Sequence, residues 1–170
     1  AIGNIDSDVA DAYLLMPRPT TKTPLSPSSS AQNSVRGDVA DFQLVTPSQG
    51  WLISGQTLQW TSDSGRSWTE RTPNLPVGAQ LEKAFFRNPQ QGWVLISDIS
   101  GFTLLSTKNG GATWQSQALP DVGPADPIGL VMPDGLNGFV AFRQASSQAF
   151  QQGVLLQTTD GGKNWMPSSL

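Results

Sequence analysis

An octet that occurs three times is the feature that most constrains this chain of 170 residues. It reads TSDSGRSW at 61–68, TKNGGATW at 107–114 and TTDGGKNW at 158–165. A Gly-aromatic pair precedes each octet, at Gly50-Trp51, Gly92-Trp93 and Gly138-Phe139. The aromatic residue of a pair follows the tryptophan of the preceding octet by 25 residues both times, whereas the spacing from a pair to its own octet grows from 17 to 21 to 26. A unit with one fixed part and one part that accepts insertions indicates a structural repeat.

Each unit predicts four short strands, because its segments are rich in β-branched and aromatic residues and are separated by Gly, Pro, Asn and Asp. The predicted strands are 41–45, 51–54, 57–61 and 67–71, then 83–86, 93–97, 103–107 and 113–117, then 128–132, 139–142, 154–158 and 164–168. No segment shows a sustained helical period. Four strands per repeat predict an all-β fold of three four-stranded antiparallel β-propeller blades, at about 38–72, 81–118 and 127–170. A β-sandwich built from the same strands is the alternative.

The composition excludes several classes of function. The chain has no histidine and no cysteine, which removes Ser-His-Asp and Cys-His catalysis, thiol redox chemistry and zinc sites with nitrogen or sulfur ligands. Its net charge is −3 and its ten basic residues are scattered, whereas nucleic-acid binding needs a basic stripe. Its apolar runs are too short to span a bilayer, so no membrane insertion is expected. The chain begins at Ala1 rather than Met, which predicts a processed or trimmed product.

The octets resemble the Asp-box, also called the BNR repeat, of sialidases, sortilin-type receptors, certain xyloglucanases and the photosystem II stability/assembly factors. The Gly-Trp pair ahead of the octet makes the resemblance greatest to the last group and its bacterial relatives. It covers residues 38–170. The resemblance implies a propeller in which each box is the turn between the third and fourth strands of a blade, and it favours an extracytoplasmic location, either secreted, periplasmic or on the cell surface.

The residue types in the box favour a structural role. A carboxylate at the third position (Asp63, Asp160) can accept N–H groups of its own turn, and Asn109 can do the same through its amide oxygen. A general acid or a nucleophile could not be exchanged in this way. Glycine at the fifth position supplies a positive φ, and the threonine and tryptophan bond across and pack beneath the turn. The predicted structural residues are Thr61, Asp63, Gly65 and Trp68, then Thr107, Asn109, Gly111 and Trp114, then Thr158, Asp160, Gly162 and Trp165.

Cofactors and metals are not expected, because a calcium loop needs several acidic ligands and each box has at most one. In a propeller the loops between the second and third strands and those between blades lie on the face opposite the boxes, and in this chain these loops vary in length. The enzymes and receptors that this repeat resembles bind their ligands on that face. We expect a ligand to bind there, with solvated loops as the alternative for each position. The candidate ligand-face residues are Asp98, Phe102, Asp121, Asp126, Arg143 and Phe150.

Catalysis is not predicted. Sialidases with this repeat use an arginine triad and a tyrosine nucleophile, but the chain has no FRIP-like motif, and its single tyrosine, Tyr13, lies outside the blades. Glycosidases need two carboxylates at one sugar bond, and nothing brings Asp98 and Asp126 together in the sequence. The predicted function is a non-catalytic binding or scaffold module for a protein or glycan partner. The alternatives are a fragment of a carbohydrate-active enzyme and, by analogy with the family alone, an assembly factor for a membrane complex.

Residues 1–16 predict an N-terminal arm with a strand at Val9–Leu15, and the Pro/Ser/Thr-rich residues 17–37 predict an extended linker. Three blades are too few for a closed ring. The two end blades should each expose an apolar face, formed by residues such as Phe42, Leu44, Val140 and Leu155. We therefore predict a homo-oligomer, namely a homodimer that closes a six-bladed ring.

Overall fold

The computed structural model describes residues 38–144 and 152–168, and within them it confirms the all-β prediction. Twelve strands form three four-stranded antiparallel sheets. Blade 1 contains β1 (Val39–Leu44), β2 (Gly50–Ser54), β3 (Thr57–Thr61) and β4 (Thr69–Glu70). Blade 2 contains β5 (Gln80–Phe86), β6 (Gly92–Asp98), β7 (Gly101–Thr107) and β8 (Gln115–Ala118). Blade 3 contains β9 (Ala125–Val131), β10 (Gly138–Gln144), β11 (Gln152–Thr158) and β12 (Met166–Pro167).

Each blade is a meander in which consecutive strands pair side by side. β5 contacts both β1 and β9, so the first strands of the three blades lie next to one another and the fourth strands form the outer edges. Several predicted features lie outside the described residues. They are the N-terminal arm of residues 1–16 with its strand at Val9–Leu15, the linker 17–37 and the candidate ligand-face residue Phe150. In the part of the chain that is described, no helix has the length and apolar character needed to cross a membrane.

Two apolar cores lie between consecutive blades. The first joins blades 1 and 2, and Phe86 lies at its centre, with its ring 6.3 Å from that of Trp51, 5.3 Å from that of Trp60 and 6.4 Å from that of Trp114. The second joins blades 2 and 3 around Phe142 and includes Trp93, Leu95, Met132, Val140 and Trp165. Because side chains alternate across a strand, the middle blade contributes one face to each core.

The two end blades expose the faces that have no neighbouring blade. Phe42 and Leu44 of blade 1 are 71% and 70% exposed, as predicted, and Phe139 of blade 3 is 39% exposed. The prediction that Val140 is exposed is wrong, because its side chain points to the opposite side of β10 from Phe139 and is fully buried against blade 2. Leu155 is half-buried.

The glycine of each Gly-aromatic pair allows the first strand of its blade to approach closely. A methyl group on Gly92 would overlap the ring of Phe86, and one on Gly138 would overlap Met132. At Gly50 the added carbon would lie 2.6 Å from the carbonyl oxygen of Gln43. In blades 2 and 3 the pair therefore marks the position where an apolar residue at or just after the end of the first strand enters the core, whereas the corresponding Leu44 of blade 1 is exposed.

Candidate functional site

The three boxes occupy the turns β3–β4, β7–β8 and β11–β12, and each is organised around a buried threonine. In box 3 the Thr158 hydroxyl donates to Asp160 Oδ1 at 2.9 Å and accepts the N–H groups of Asp160 at 3.4 Å and Gly162 at 3.0 Å. The same three bonds occur around Thr61 and Thr107. The three threonines are the buried polar residues of the described chain, and their hydroxyls are fully used inside the turns.

The third residue of each box bonds to the seventh. Asp63 Oδ1 accepts the N–H of Ser67 at 2.8 Å, and Oδ2 accepts the Ser67 hydroxyl at 2.6 Å. Asp160 accepts the N–H of Asn164 at 3.0 Å and the Asn164 amide at 2.6 Å. In box 2 the side-chain bond is reversed, because Asn109 Nδ2 donates to the Thr113 hydroxyl at 2.8 Å.

These bonds stabilise the ionised carboxylates. The pKa of Asp63 is lowered to about 2, chiefly by the Ser67 hydroxyl and then by the Ser67 N–H. The pKa of Asp160 is also lowered to about 2, chiefly by the backbone N–H of Asn164 and then by its side-chain amide. A carboxylate that stays ionised and fully hydrogen-bonded is a poor general acid or base near neutral pH.

A second bond, which the sequence reading did not find, ties every box to the loop between the first two strands of its own blade. The fourth residue of the box donates its N–H to a carbonyl oxygen of that loop: Ser64 to Ser48 at 2.9 Å, Gly110 to Gln90 at 2.8 Å and Gly161 to Leu136 at 2.8 Å. The three acceptors each lie two residues before the glycine of the Gly-aromatic pair. This constant offset places the box and the pair on the same side of the blade.

The box glycines and tryptophans complete the turns. Gly65, Gly111 and Gly162 have φ values of 84°, 93° and 92°, which favour glycine strongly. Trp165 is buried in the second core and donates its indole N–H to the carbonyl of Gly162 at 3.0 Å. Trp114 packs against the first core, whereas Trp68 lies on the exposed face of blade 1 and is half-buried.

The candidate ligand-face residues of the first two blades are partly used by the fold. Asp98 Oδ1 accepts the N–H of Ser100 at 2.7 Å and holds the β6–β7 turn. Asp121 Oδ1 accepts the N–H of Gly123 at 2.8 Å in the connection to blade 3. Phe102 is half-buried, and its ring packs 4.7 Å from that of Phe142 at the second core.

The structure brings Asp126 and Arg143 together. They are register partners on β9 and β10, and Arg143 Nη2 lies 3.8 Å from Asp126 Oδ2. Both side chains are largely exposed, so the pair is weak and its groups remain accessible. Among residues 38–144 and 152–168, no three acidic side chains cluster in a way that could hold a metal ion.

Two grooves lie on either side of the outer strand of blade 2. One, of about 260 Å³, faces blade 3 and is bordered by Gln115, Gln117, Lys108 and Lys163. The other, of about 490 Å³, faces the connection between blades 1 and 2 and is bordered by Trp114, Ser116, Asp98, Pro73, Pro76 and neighbouring residues. Neither groove can be predicted from the sequence, because both form only when strands distant in the chain come together.

Comparison with known proteins decides the family. Residues 23–169 match the model of the family described as photosynthesis system II assembly factor YCF48. The chain belongs to this family. The predicted resemblance to photosystem II assembly factors is thereby confirmed, and membership of a family of assembly factors confirms the prediction that the chain is not an enzyme.

Two individual proteins that are similar to this chain are consistent with the family assignment. The chain is 27% identical over 146 residues to the photosystem II assembly lipoprotein Ycf48 of Synechococcus sp. strain CC9902, a match that covers 84% of this chain and 40% of the relative. It is 32% identical over 130 residues to the photosystem II assembly protein Ycf48 of Synechococcus sp. strain JA-2-3B'a(2-13), covering 75% of this chain and 35% of the relative. The chain thus spans about two-fifths or less of the length of these relatives.

A solved structure described as YCF48 bound to D1 peptide has the same fold. It superposes with a TM-score of 0.58 at 23% identity, over 77% of this chain and 39% of the other. Together with the three sheets of the present chain, this likeness establishes a β-propeller of BNR type.

Proposed function

We propose that this chain is a non-catalytic module that binds a peptide segment of a photosystem II subunit during assembly of that complex. The observation that carries the proposal is the family match over residues 23–169. The peptide-bound state of a YCF48 structure with the same fold supports a protein partner rather than a glycan. The curated relative that is a lipoprotein supports an extracytoplasmic location for the module.

The loop face opposite the boxes is our proposed contact surface. The hydroxyl and carboxylate groups of the boxes are occupied by their own turns, and their backbone ties hold the adjacent loops. On the opposite face the exposed Arg143–Asp126 pair is separated by 3.8 Å and can exchange partners at little cost. A peptide carboxylate would compete with Asp126 for the Arg143 guanidinium.

The test is titration of the whole chain with a D1 peptide by isothermal calorimetry, together with mass spectrometry of the peptide afterwards. We expect binding without cleavage, and we expect Arg143→Ala to weaken it. Arg66→Ala is the matched control, because Arg66 is an exposed arginine of box 1 on the other face and its loss should leave the affinity unchanged. Absence of binding, or hydrolysis of the peptide, would refute the proposal.

We further propose that a second copy of the chain covers the exposed end faces, as the predicted homodimer requires. The free face of blade 1 corresponds to the face that blade 2 turns towards blade 1. In the same way, Phe139 of blade 3 corresponds to Trp93, which packs against blade 3. The two free faces therefore carry the two halves of an interface that already exists twice within the chain.

A further inference from the structure

The outer edge of blade 2 differs from the outer edges of the other two blades. β8 is four residues long and all four side chains are exposed, whereas β4 and β12 each contain two residues. Two residues after the box tryptophan, the blades carry Glu70, Ser116 and Pro167 respectively. A charged residue and a proline at an edge both oppose the addition of another strand. Ser116 does neither, and the whole of β8 (QSQA) is free of charge and of proline.

The backbone of β8 presents hydrogen-bonding groups on its outer side. Leu119 donates its N–H to the carbonyl of Phe102 at 2.9 Å and continues the pairing of β8 with β7. Because N–H and C=O groups alternate in direction along a strand, the backbone groups of Ser116 and Ala118 point away from β7. No strand of the described chain pairs with this edge. The Gln117 side chain donates to the Ala118 carbonyl at 3.2 Å, an exposed contact that an added strand would replace.

The two grooves beside β8 are placed to receive the side chains of an added strand. Successive side chains of a strand point to opposite faces of its sheet, so a strand paired with β8 would direct alternate residues into the two grooves. Recognition by strand addition works in this way, with backbone bonds supplying affinity and alternate pockets supplying specificity.

The grooves differ in chemistry. The groove towards blade 3 contains the exposed amines of Lys108 and Lys163. Its one acidic member, Asp160, already accepts hydrogen bonds from the Thr158 hydroxyl, the backbone N–H of Lys163 and the Asn164 amide. The groove towards blade 1 is walled by Trp114, prolines and apolar residues of β6 and β7, with Asp98 at one end. The indole N–H of Trp114 is buried and has no hydrogen-bond partner in the described chain.

We infer that β8 is a docking edge for an extended segment of the partner protein, in which acidic side chains facing Lys108 and Lys163 alternate with apolar side chains facing Trp114. This inference rests on the proposed peptide-binding function and adds a second contact surface to the loop face at Arg143, one in which two exposed lysines of the boxes take part. Acidic residues complement the two lysines, and apolar residues complement the groove wall formed by Trp114 and the prolines.

The test uses the full chain and three peptides: a D1 peptide, a ten-residue synthetic peptide that alternates glutamate with valine, and its counterpart that alternates lysine with valine. The glutamate peptide should bind and the lysine peptide should bind far more weakly. Ser116→Pro should weaken the affinity for the glutamate peptide by roughly tenfold or more, because proline removes an outward N–H and blocks pairing with an added strand. Glu70→Pro, the same change at the matching position of blade 1, should leave the affinity unchanged.

Proline at this position is compatible with the blade, since blade 3 carries Pro167 there. If Ser116→Pro nevertheless failed to fold, the double variant Lys108→Glu and Lys163→Glu tests the same edge. It should reverse the preference between the glutamate and lysine peptides. Hydrogen exchange of the Ser116 and Ala118 amides should also slow when the glutamate peptide is added, and a site elsewhere on the chain would not produce this change.

The outcomes separate the two proposals. A D1 peptide that binds the wild type and Ser116→Pro equally overturns the docking edge and leaves the proposed function intact. If the D1 peptide does not bind but the glutamate peptide binds at β8, the proposed photosystem II partner is overturned and the proposed docking at β8 is supported. Equal binding of the glutamate and lysine peptides, or no binding of either, overturns the proposal that β8 is a docking edge.

Discussion

At the scale of single residues, the threonine of the box is the least replaceable hydrogen-bonding side chain. Its hydroxyl makes three bonds within a buried turn, whereas the third residue is Asp in two boxes and Asn in the other. The exchange is tolerated because the side chain of the seventh residue can act as either donor or acceptor, so the direction of the bond reverses. Ser67 and Asn164 donate to a carboxylate, and Thr113 accepts from an amide.

Thr158→Val is expected to lower the free energy of unfolding by about 1–3 kcal/mol, because the N–H of Gly162 loses its acceptor in a buried site. Thr159→Val, one residue away and exposed, should change stability by less than about 0.5 kcal/mol. Urea unfolding followed by tryptophan fluorescence measures both. Equal stability of the two variants would show that the box threonine does not hold the turn.

Acid should weaken the fold in a defined pH range. The pKa values of Asp63 and Asp160 are lowered from 3.8 to about 2. The pKa of Asp134, in the loop between β9 and β10, is lowered equally, chiefly by the Asn137 amide and then by the backbone N–H of Leu136. Their stabilising contribution is therefore complete above about pH 4 and is lost as the pH falls towards 2. The double variant Asp160→Asn and Asn164→Thr reproduces the pairing of box 2 and removes one of the three titrating groups.

This variant should fold at pH 7 and should lose less stability than the wild type between pH 4 and pH 2. The measurement is urea unfolding at several pH values across that range. A wild type whose stability does not fall there, or a variant with an identical pH profile, would contradict the assigned hydrogen bonds.

The residue types of the box allowed its Asx-type turn to be anticipated from the sequence, because Asp, Asn and Gly in fixed order have few alternative uses. The bond from the fourth residue of the box to the loop before the second strand could not be anticipated. It joins two backbone groups, Ser64 N–H and Ser48 C=O in blade 1 for example, and backbone groups have no signature in residue type.

At the scale of the elements, all twelve strands begin and end within three residues of the prediction. The first three strands of each blade could be predicted because their central residues are rich in apolar side chains. The edges are less regular. β5 and β9 begin at Gln80 and Ala125, three residues earlier than predicted, because their first three residues do not form an apolar run but still pair with β6 and β10. β4 and β12 are shorter than predicted, since a fourth strand pairs on one side only.

The glycine of the Gly-aromatic pair is expected to be intolerant of a larger side chain. Gly92→Ala should destabilise the chain by about 1–3 kcal/mol, because the added methyl group overlaps Phe86 within the first core. Gly129→Ala is the control, since it lies in β9 with open space around its α-carbon and an ordinary φ. Thermal unfolding of the two variants should show a loss of stability for Gly92→Ala alone, and equal melting temperatures would contradict the close approach.

At the scale of the whole molecule, the sequence correctly predicted three blades and an open arc with apolar ends. It misplaced Val140, because one residue of shift along a strand moves a side chain to the other face. The location of the β8 edge could not be read from the sequence. QSQA is an ordinary polar segment, and whether it can bind an added strand depends on the grooves that other strands place beside it.

The predicted homodimer is tested by the mass of the chain in solution. Sedimentation equilibrium at micromolar concentration should give twice the 18.1 kDa of one chain. Leu44→Glu should shift the equilibrium to the monomer, because it places a charge on the free face of blade 1. Val77→Glu, in an exposed loop, should leave the mass unchanged. A wild type that sediments as a single chain would exclude closure by a second copy.

The central claim is that the hydrogen-bonding groups of the box turns build the blades, whereas the peptide binds along β8, beside the exposed side chains of Lys108 and Lys163, and at the loop face around Arg143. Hydrogen–deuterium exchange of the full chain, with and without a saturating D1 peptide, tests it most directly. The account predicts slower exchange at β8 (Gln115–Ala118) and around Arg143, with no change at the box amides of Gly65, Gly111 and Gly162. Protection concentrated in the boxes, with β8 and Arg143 unaffected, would contradict the account.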